Sequence, residues 1–333
     1  MRPKPGLPLA AGGRGGFNTS VTSSDTKTTA SDETSDRVPS SAVKVETTGI
    51  NLGLDGEGFL GSAQRYTALI LGMILCGILM SVALGSMASW RGVAGPMVLQ
   101  AIDPIWAALV VLGCLSACLV IAIGVAKIVN PAVGTFVLGS GLGCLALGSG
   151  GYLDILFGGT SGMSVGLETL AWGVVVLLMT AIIYRLTGPL PDQPDADPSE
   201  VFSPQVVLSS PAVRSAGAGI LAVVAVILFA SNDLKGQSLA AAVIAGVGTG
   251  YLGRFLGPRV QPVLLYAAPC VFLAIGQVVV FGSDTNQVIS SWIQGGGPRL
   301  GIPTPIDVAA GTLMGVSMGI GMSRGFVEAQ PDP

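Results

Sequence analysis

A polar side chain inside an apolar run is the first place to look for chemistry in this chain, and such side chains are few. Gln277 lies toward one end of a long uncharged stretch, Asp307 in the first turn of another, and Glu168 at the border of a third. Ionisable and amide groups are costly in hydrocarbon and tend to mark solute or ion routes, so all three are candidates for a substrate pathway. Pro269 joins them, because a proline inside a helix removes a backbone hydrogen bond and kinks it close to Gln277. A plainer role competes for Asp307 and Glu168: a carboxylate near a helix amino terminus is stabilised by the local dipole.

Catalysis has little to draw on. The chain has no histidine, which removes the usual general base, the commonest metal ligand and Ser-His chemistry together. No Gly-x-Gly-Asp motif of an intramembrane aspartyl protease occurs either. The five cysteines, Cys76, Cys114, Cys118, Cys144 and Cys270, all lie in apolar runs without CxxC spacing. They read as small packing residues, although Cys114 and Cys118 share a helix face at i, i+4. The expectation is a protein that is not an enzyme and carries no cofactor and no metal.

Two glycine patterns imitate nucleotide sites. Gly248-Thr249-Gly250-Tyr251-Leu252-Gly253 has the form GxGxxG, but that fingerprint needs a preceding strand and an acid about twenty residues on. Here it sits inside an alanine-rich apolar run, and the next acid is Asp284. Gly139-Ser140-Gly141-Leu142-Gly143 lacks a Walker lysine and fails in the same way.

Small residues at every fourth position form a stronger pattern. Gly311, Gly315 and Gly319 make one stripe, Ala242, Gly246 and Gly250 a second, and Gly77, Ser81 and Gly85 a third. Helices in lipid gain little from hydrophobic association, so close backbone approach along such stripes is what packs them. These nine residues are expected to pack helices within the chain, with oligomerisation or a sliding surface as the sharper reading.

The elements that carry these residues follow from composition. Of 333 residues, 50% are hydrophobic and only 11% charged, and the mean hydropathy is +0.71, whereas roughly a quarter of the residues of a soluble domain are charged. Uncharged apolar runs predict eight transmembrane helices near residues 67–88, 104–126, 131–149, 170–186, 213–230, 238–256, 262–281 and 305–323. The fold class is an all-α polytopic membrane protein, with about eight spans in two groups of four and a disordered N-terminal tail. The third span is the weakest, since its glycines lower helix propensity and would suit a re-entrant piece. Asp103-Pro104, Asn130-Pro131, Ser210-Pro211 and Thr304-Pro305 each put a capping side chain before a proline suited to a first helical turn.

The domain organisation predicted is a tail over 1–60, a four-helix half over 61–187, a Pro/Asp-rich cytoplasmic linker over 188–211, a second four-helix half over 212–325 and a short tail over 326–333. The tail is too polar to order itself, and its start has no hydrophobic core of signal-peptide length. The Asn18-Thr19-Ser20 sequon is uninformative if that tail is cytoplasmic. Arg65, Lys127, Arg185, Arg214, Arg254, Arg259 and Arg324 fall near one set of span ends, against Arg91, Lys235 and Arg299 at the other. This bias predicts both termini in the cytoplasm and suits a bacterial cytoplasmic membrane.

The two remaining loops of the opposite face carry apolar clusters. Val288, Ile289, Trp292 and Ile293 predict a short helix on the membrane surface, and Tyr152, Leu153, Ile155, Leu156 and Phe157 form a second cluster. Both serve as anchors or as a lid.

A net charge of −3 with no basic patch excludes nucleic acid as a partner class. The partners expected are the lipid bilayer and either a membrane-protein partner or a second copy. The functional expectation is a non-catalytic membrane component acting through helix packing and partner contacts. The alternative is a permease or transporter for an apolar or weakly polar solute.

Overall fold

The computed structural model describes residues 56–158, 162–191, 209–258, 260–281, 285–294 and 296–327. Most of the expected N-terminal tail with Asn18, most of the proline-rich linker, Arg259, Asp284 and the final residues 328–333 lie outside the described residues.

Long apolar runs bounded by polar and proline signals fold as helices here, and no strand occurs among the described residues. Helix α1 (Gly56–Leu84) runs into a 3-10 turn at Gly85–Met87, and a second 3-10 turn (Val98–Gln100) lies in the loop before α2 (Pro104–Ile128). Next come α3 (Pro131–Gly148), the short α4 (Tyr152–Phe157) and α5 (Gly162–Thr187). The fifth apolar stretch folds as α6 (Ser210–Ala216), a 3-10 turn at Gly217–Gly219 and α7 (Ile220–Phe229). Helices α8 (Lys235–Leu256), α9 (Val263–Phe281), α10 (Thr285–Ile293) and α11 (Pro305–Val327) complete the order, with a 3-10 turn at Arg299–Gly301. Eight of these segments are long and apolar enough to cross a bilayer. The chain is an all-α, multi-pass membrane protein.

Local chemistry sets several helix starts. The Asp103 carboxylate accepts the N–H of Trp106 at 3.1 Å and the Asn130 amide oxygen that of Val133 at 2.9 Å, each before a proline in the first turn. Ser210 does not act as the cap expected of it. It lies inside α6, whose N-cap is Ser209 with no side-chain capping bond. The boundaries differ elsewhere too. Helix α1 starts at Gly56, inside the segment expected to be disordered, and α5 starts at Gly162, two turns ahead of Leu170. The fifth span passes through a 3-10 turn at Gly217–Gly219, where Gly219 meets α9: a Cβ there would stand 2.8 Å from Cβ of Ala268.

The third span is a full helix, for a reason its propensity hides. In α3, a Cβ on Gly139 would stand 2.7 Å from Cβ of Leu313, one on Gly141 2.9 Å from Cβ of Cys76, and one on Gly134 2.6 Å from the Ala122 carbonyl. Its small residues thus face α11, α1 and α2 at once, and tertiary packing offsets what the glycines cost as helix formers. Helices α3 and α11 are the most enclosed spans, with 67% and 78% of their apolar windows buried against 28% for α1. They form the centre of the bundle, and α1 lies at its edge.

The two groups of four spans pack against each other. Helix α11 packs along α8 and α3, α9 along α5, and α1 against α2 and α3. Crossing spans alternate in direction, so the connections carrying α4, α10 and the three 3-10 turns outside α6–α7 share one face, here the long-loop face. The connections α2–α3, α5–α6 and α8–α9 share the other, the terminal face.

Candidate functional site

At the long-loop end of the bundle, α11 begins with Thr304 and Asp307 capping each other. The Thr304 N–H donates to the Asp307 carboxylate at 2.9 Å, and the Asp307 N–H points at the Thr304 hydroxyl at 3.4 Å. From α8, Lys235 Nζ donates to both carboxylate oxygens at 3.0 and 3.1 Å, and the Ser238 hydroxyl to one of them at 2.9 Å. The Asp307 side chain is 0% exposed and that of Lys235 17%. A charge so enclosed persists only when paired and fully hydrogen-bonded, and this one is. Asp307 therefore ties α8 to α11.

Gln277 of α9 is also fully enclosed. Its amide oxygen accepts from the Thr169 hydroxyl of α5, and its Nε2 donates to the Pro303 carbonyl at 2.9 Å. The structure thus connects Gln277 to the start of α11 through Pro303. Pro269 lies two turns away within α9, which continues through it.

Glu168 is not at the start of its own helix but in the second turn of α5, buried. Its carboxylate accepts the backbone N–H groups of Val98 at 2.8 Å and Leu99 at 3.2 Å. It caps the 3-10 turn Val98–Gln100, so the helix-start role expected from sequence is played on a different segment. The turn and α2 wall a groove of about 270 Å³ with α5, lined by Leu99, Ala108, Leu112, Leu167, Ala171 and Trp172 with Glu168 at its head.

Asp233 repeats the device outside the spans. It accepts the N–H groups of Tyr152 at 2.6 Å and Leu153 at 3.3 Å, capping α4 from the α7–α8 connection. Burial pushes the Asp233 carboxyl above its usual range, against the pull of those two N–H groups and of Lys235. The Tyr152 hydroxyl is pushed up to about 12 by burial, and its ring lies 5.3 Å from that of Trp292 in α10. Arg91 and Asp154 form an exposed ion pair at 2.9 Å across two loops of the same face.

A hydroxyl cluster that sequence reading missed lies deeper toward the terminal face. Thr135 of α3, Tyr266 of α9 and Ser317 of α11 meet in a triangle of 2.7, 2.9 and 3.1 Å, and the Tyr184 hydroxyl of α5 lies 3.4 Å from that of Tyr266. Arg254 of α8 is buried close by, with Nη1 3.5 Å from the Val260 carbonyl. Single hydroxyls barely lower the hydropathy of a span, so nothing in the sequence set them apart. Only their convergence from four helices does.

The small-residue stripes divide by use. Gly246 and Gly250 meet α11, and Gly311 lies on Ala242: a Cβ on Gly246 would stand 2.8 Å from the Gly311 carbonyl, and one on Gly319 2.7 Å from the Tyr251 N. In α1, Gly77 is buried against Cys144 and Ser81 is exposed, whereas Gly85, in the 3-10 turn that follows, has nothing within 4 Å of where a Cβ would be. Cys118 pairs with Cys76 and not with Cys114: each thiol of the first pair lies near the other's carbonyl, at 3.6 and 3.8 Å. Among the described residues no three His, Cys, Asp or Glu side chains come together as a metal-holding group.

The fold and these clusters define a multi-pass membrane protein whose polar groups at membrane depth bond to one another. Comparisons with protein-family models, with curated proteins and with solved structures find no match to this chain.

Proposed function

We propose that this protein is a non-catalytic component of a cellular membrane that works by helix packing with a partner membrane protein or a second copy of itself. The observation that carries this reading is the free face of α1. Exposed Ser81, with Gly77 seated on Cys144 beside it, borders a shallow open groove of about 650 Å³ lined also by Ile74, Ile78 and Val82, and Gly85 one turn further on has nothing within 4 Å of where a Cβ would be. The other two stripes are consumed by the α8–α11 contact. Close helix approach is the main source of association in lipid, so a small-residue face turned to the bilayer suits a further helix. The saturation of Asp307, Gln277 and Glu168 by internal bonds supports a structural role for them and a protein that is not an enzyme.

The test is purification in mild detergent. A partner, or a second copy, recovered in fixed ratio and lost on Ser81→Leu with thermal stability retained supports the proposal. A monomer that brings down no protein overturns it.

Transport of an apolar or weakly polar solute is the second reading, favoured by the groove beside Glu168. A saturable small molecule that raises thermal stability distinguishes it. We also infer that both chain ends face the cytoplasm of a bacterium, on the strength of the basic residues at the terminal-face ends of the spans. Reporter fusions at the two ends test that placement.

A further inference from the structure

We propose that the groove between α2 and α5 is a binding site for one acyl chain of a bilayer phospholipid, taken from the leaflet on the long-loop face. The two helices make little contact with each other, and at this end the 3-10 turn Val98–Gln100 roofs the gap between them, fixed there by the Glu168 carboxylate. Beneath the roof the walls are Ala108 and Leu112 on one side and Leu167 and Ala171 on the other, with Trp172 behind. The small residues Ala108 and Ala171 make the hollow.

Its occupant follows from three observations. Below the turn, the groove opens between two spans where Leu112 and Leu167 are 40% and 56% exposed, which in this protein is a face turned to hydrocarbon. Its only ionisable group, Glu168, already receives two backbone N–H groups and so needs no polar ligand. Its volume of about 270 Å³ gives room for a segment of one chain and far less than a helix. An apolar cavity of this size left empty forfeits dispersion contacts along its whole lining, and the bilayer supplies chains at the opening.

Trp172 provides the reporter, because it lines the groove while being only 5% exposed. Replacing Trp90, Trp106 and Trp292 by Phe leaves Trp172 as the single tryptophan of the full chain. That protein is reconstituted in phosphatidylcholine vesicles carrying a dibrominated acyl chain, a contact quencher. The expected result is a loss of about half or more of the Trp172 emission, linear in the brominated fraction as one exchangeable chain gives. Ala108→Leu and Ala171→Leu, on opposite walls near the mouth, are each expected to restore most of the emission. Unchanged emission in brominated vesicles overturns the proposal. So does the steep dependence that several loosely contacting lipids produce, which needs no variant to detect, or equal quenching in a folded filled variant. Quenching by a brominated free fatty acid but not by the phospholipid assigns the groove to a different occupant and likewise overturns it.

Discussion

Gly246 of α8 and Gly315 of α11 meet backbone to backbone: a Cβ on Gly315 would stand 2.8 Å from the Cα of Gly246, and one on Gly246 3.0 Å from the Cα of Gly315. No side chain larger than hydrogen fits at either position without moving a helix. Since α11 is the most enclosed span, this contact sets the spacing at the bundle centre.

Gly315→Val is therefore expected to destabilise the protein by about 1–3 kcal/mol, the usual cost of overpacking a filled contact. Gly85→Val, in the open 3-10 turn that follows α1, is expected to leave intrinsic stability within about 0.5 kcal/mol, as substitutions away from packed features do. Reversible unfolding in mixed micelles measures both, and equal effects would contradict the packing described.

Lys235→Ala leaves Asp307 buried without its cation, and losing one member of a buried pair costs about 3–5 kcal/mol. The double change Lys235→Met with Asp307→Leu is expected to recover most of that loss, because it removes the stranded charge too. A double variant as unstable as the single one would show that the pair contributes more than mutual neutralisation.

Gln277→Leu removes the acceptor of Thr169 and the donor to Pro303. Hydrogen bonds between helices in membranes average only about 0.6 kcal/mol, so loss of the two is expected to cost about 1 kcal/mol. If the residue served a solute instead, the change would abolish a binding signal while leaving stability intact.

The Asp233 carboxyl is raised by burial, which fixes the sign of its pH dependence. A group whose folded pKa lies above its unfolded value contributes stability that is fully present below about 3.9, the ordinary aspartate value, and lost as pH rises through the folded value. Melting temperature is expected to fall modestly across that window, and Asp233→Asn is expected to flatten the fall. Asp233→Ala strands the N–H groups of Tyr152 and Leu153 and is expected to lower stability at every pH. An Asn variant with the same pH slope as the parent would exclude Asp233 as the source.

Much of the architecture was legible in the residues. Hydropathy and length mark eight crossing segments, because a bilayer asks each span to satisfy its own backbone and cover itself with apolar side chains. Asp103, Asn130 and Thr304 announce helix starts, because capping is a contact between residues three apart. Periodicity also marked the stripes that α8 and α11 turn toward each other. Even so, hydropathy puts Glu168 at the border of a helix that begins at Gly162, since Gly162, Ser164 and Gly166 conceal the start.

What the sequence determined by itself is whatever depends on neighbours along the chain: membrane residence, the number of spans and about half of their starts. Only the tertiary structure decided which segment each acid caps, Val98–Gln100 for Glu168 and α4 for Asp233. It alone brought Thr135, Tyr184, Tyr266 and Ser317 together, and it alone seated Gly77 on Cys144 while leaving Ser81 and Gly85 open. The physical reason is that lipid is as apolar as the helices it surrounds. Burial places the spans in the bilayer without choosing their partners, and that choice falls to shape and to hydrogen bonds between residues far apart in the chain.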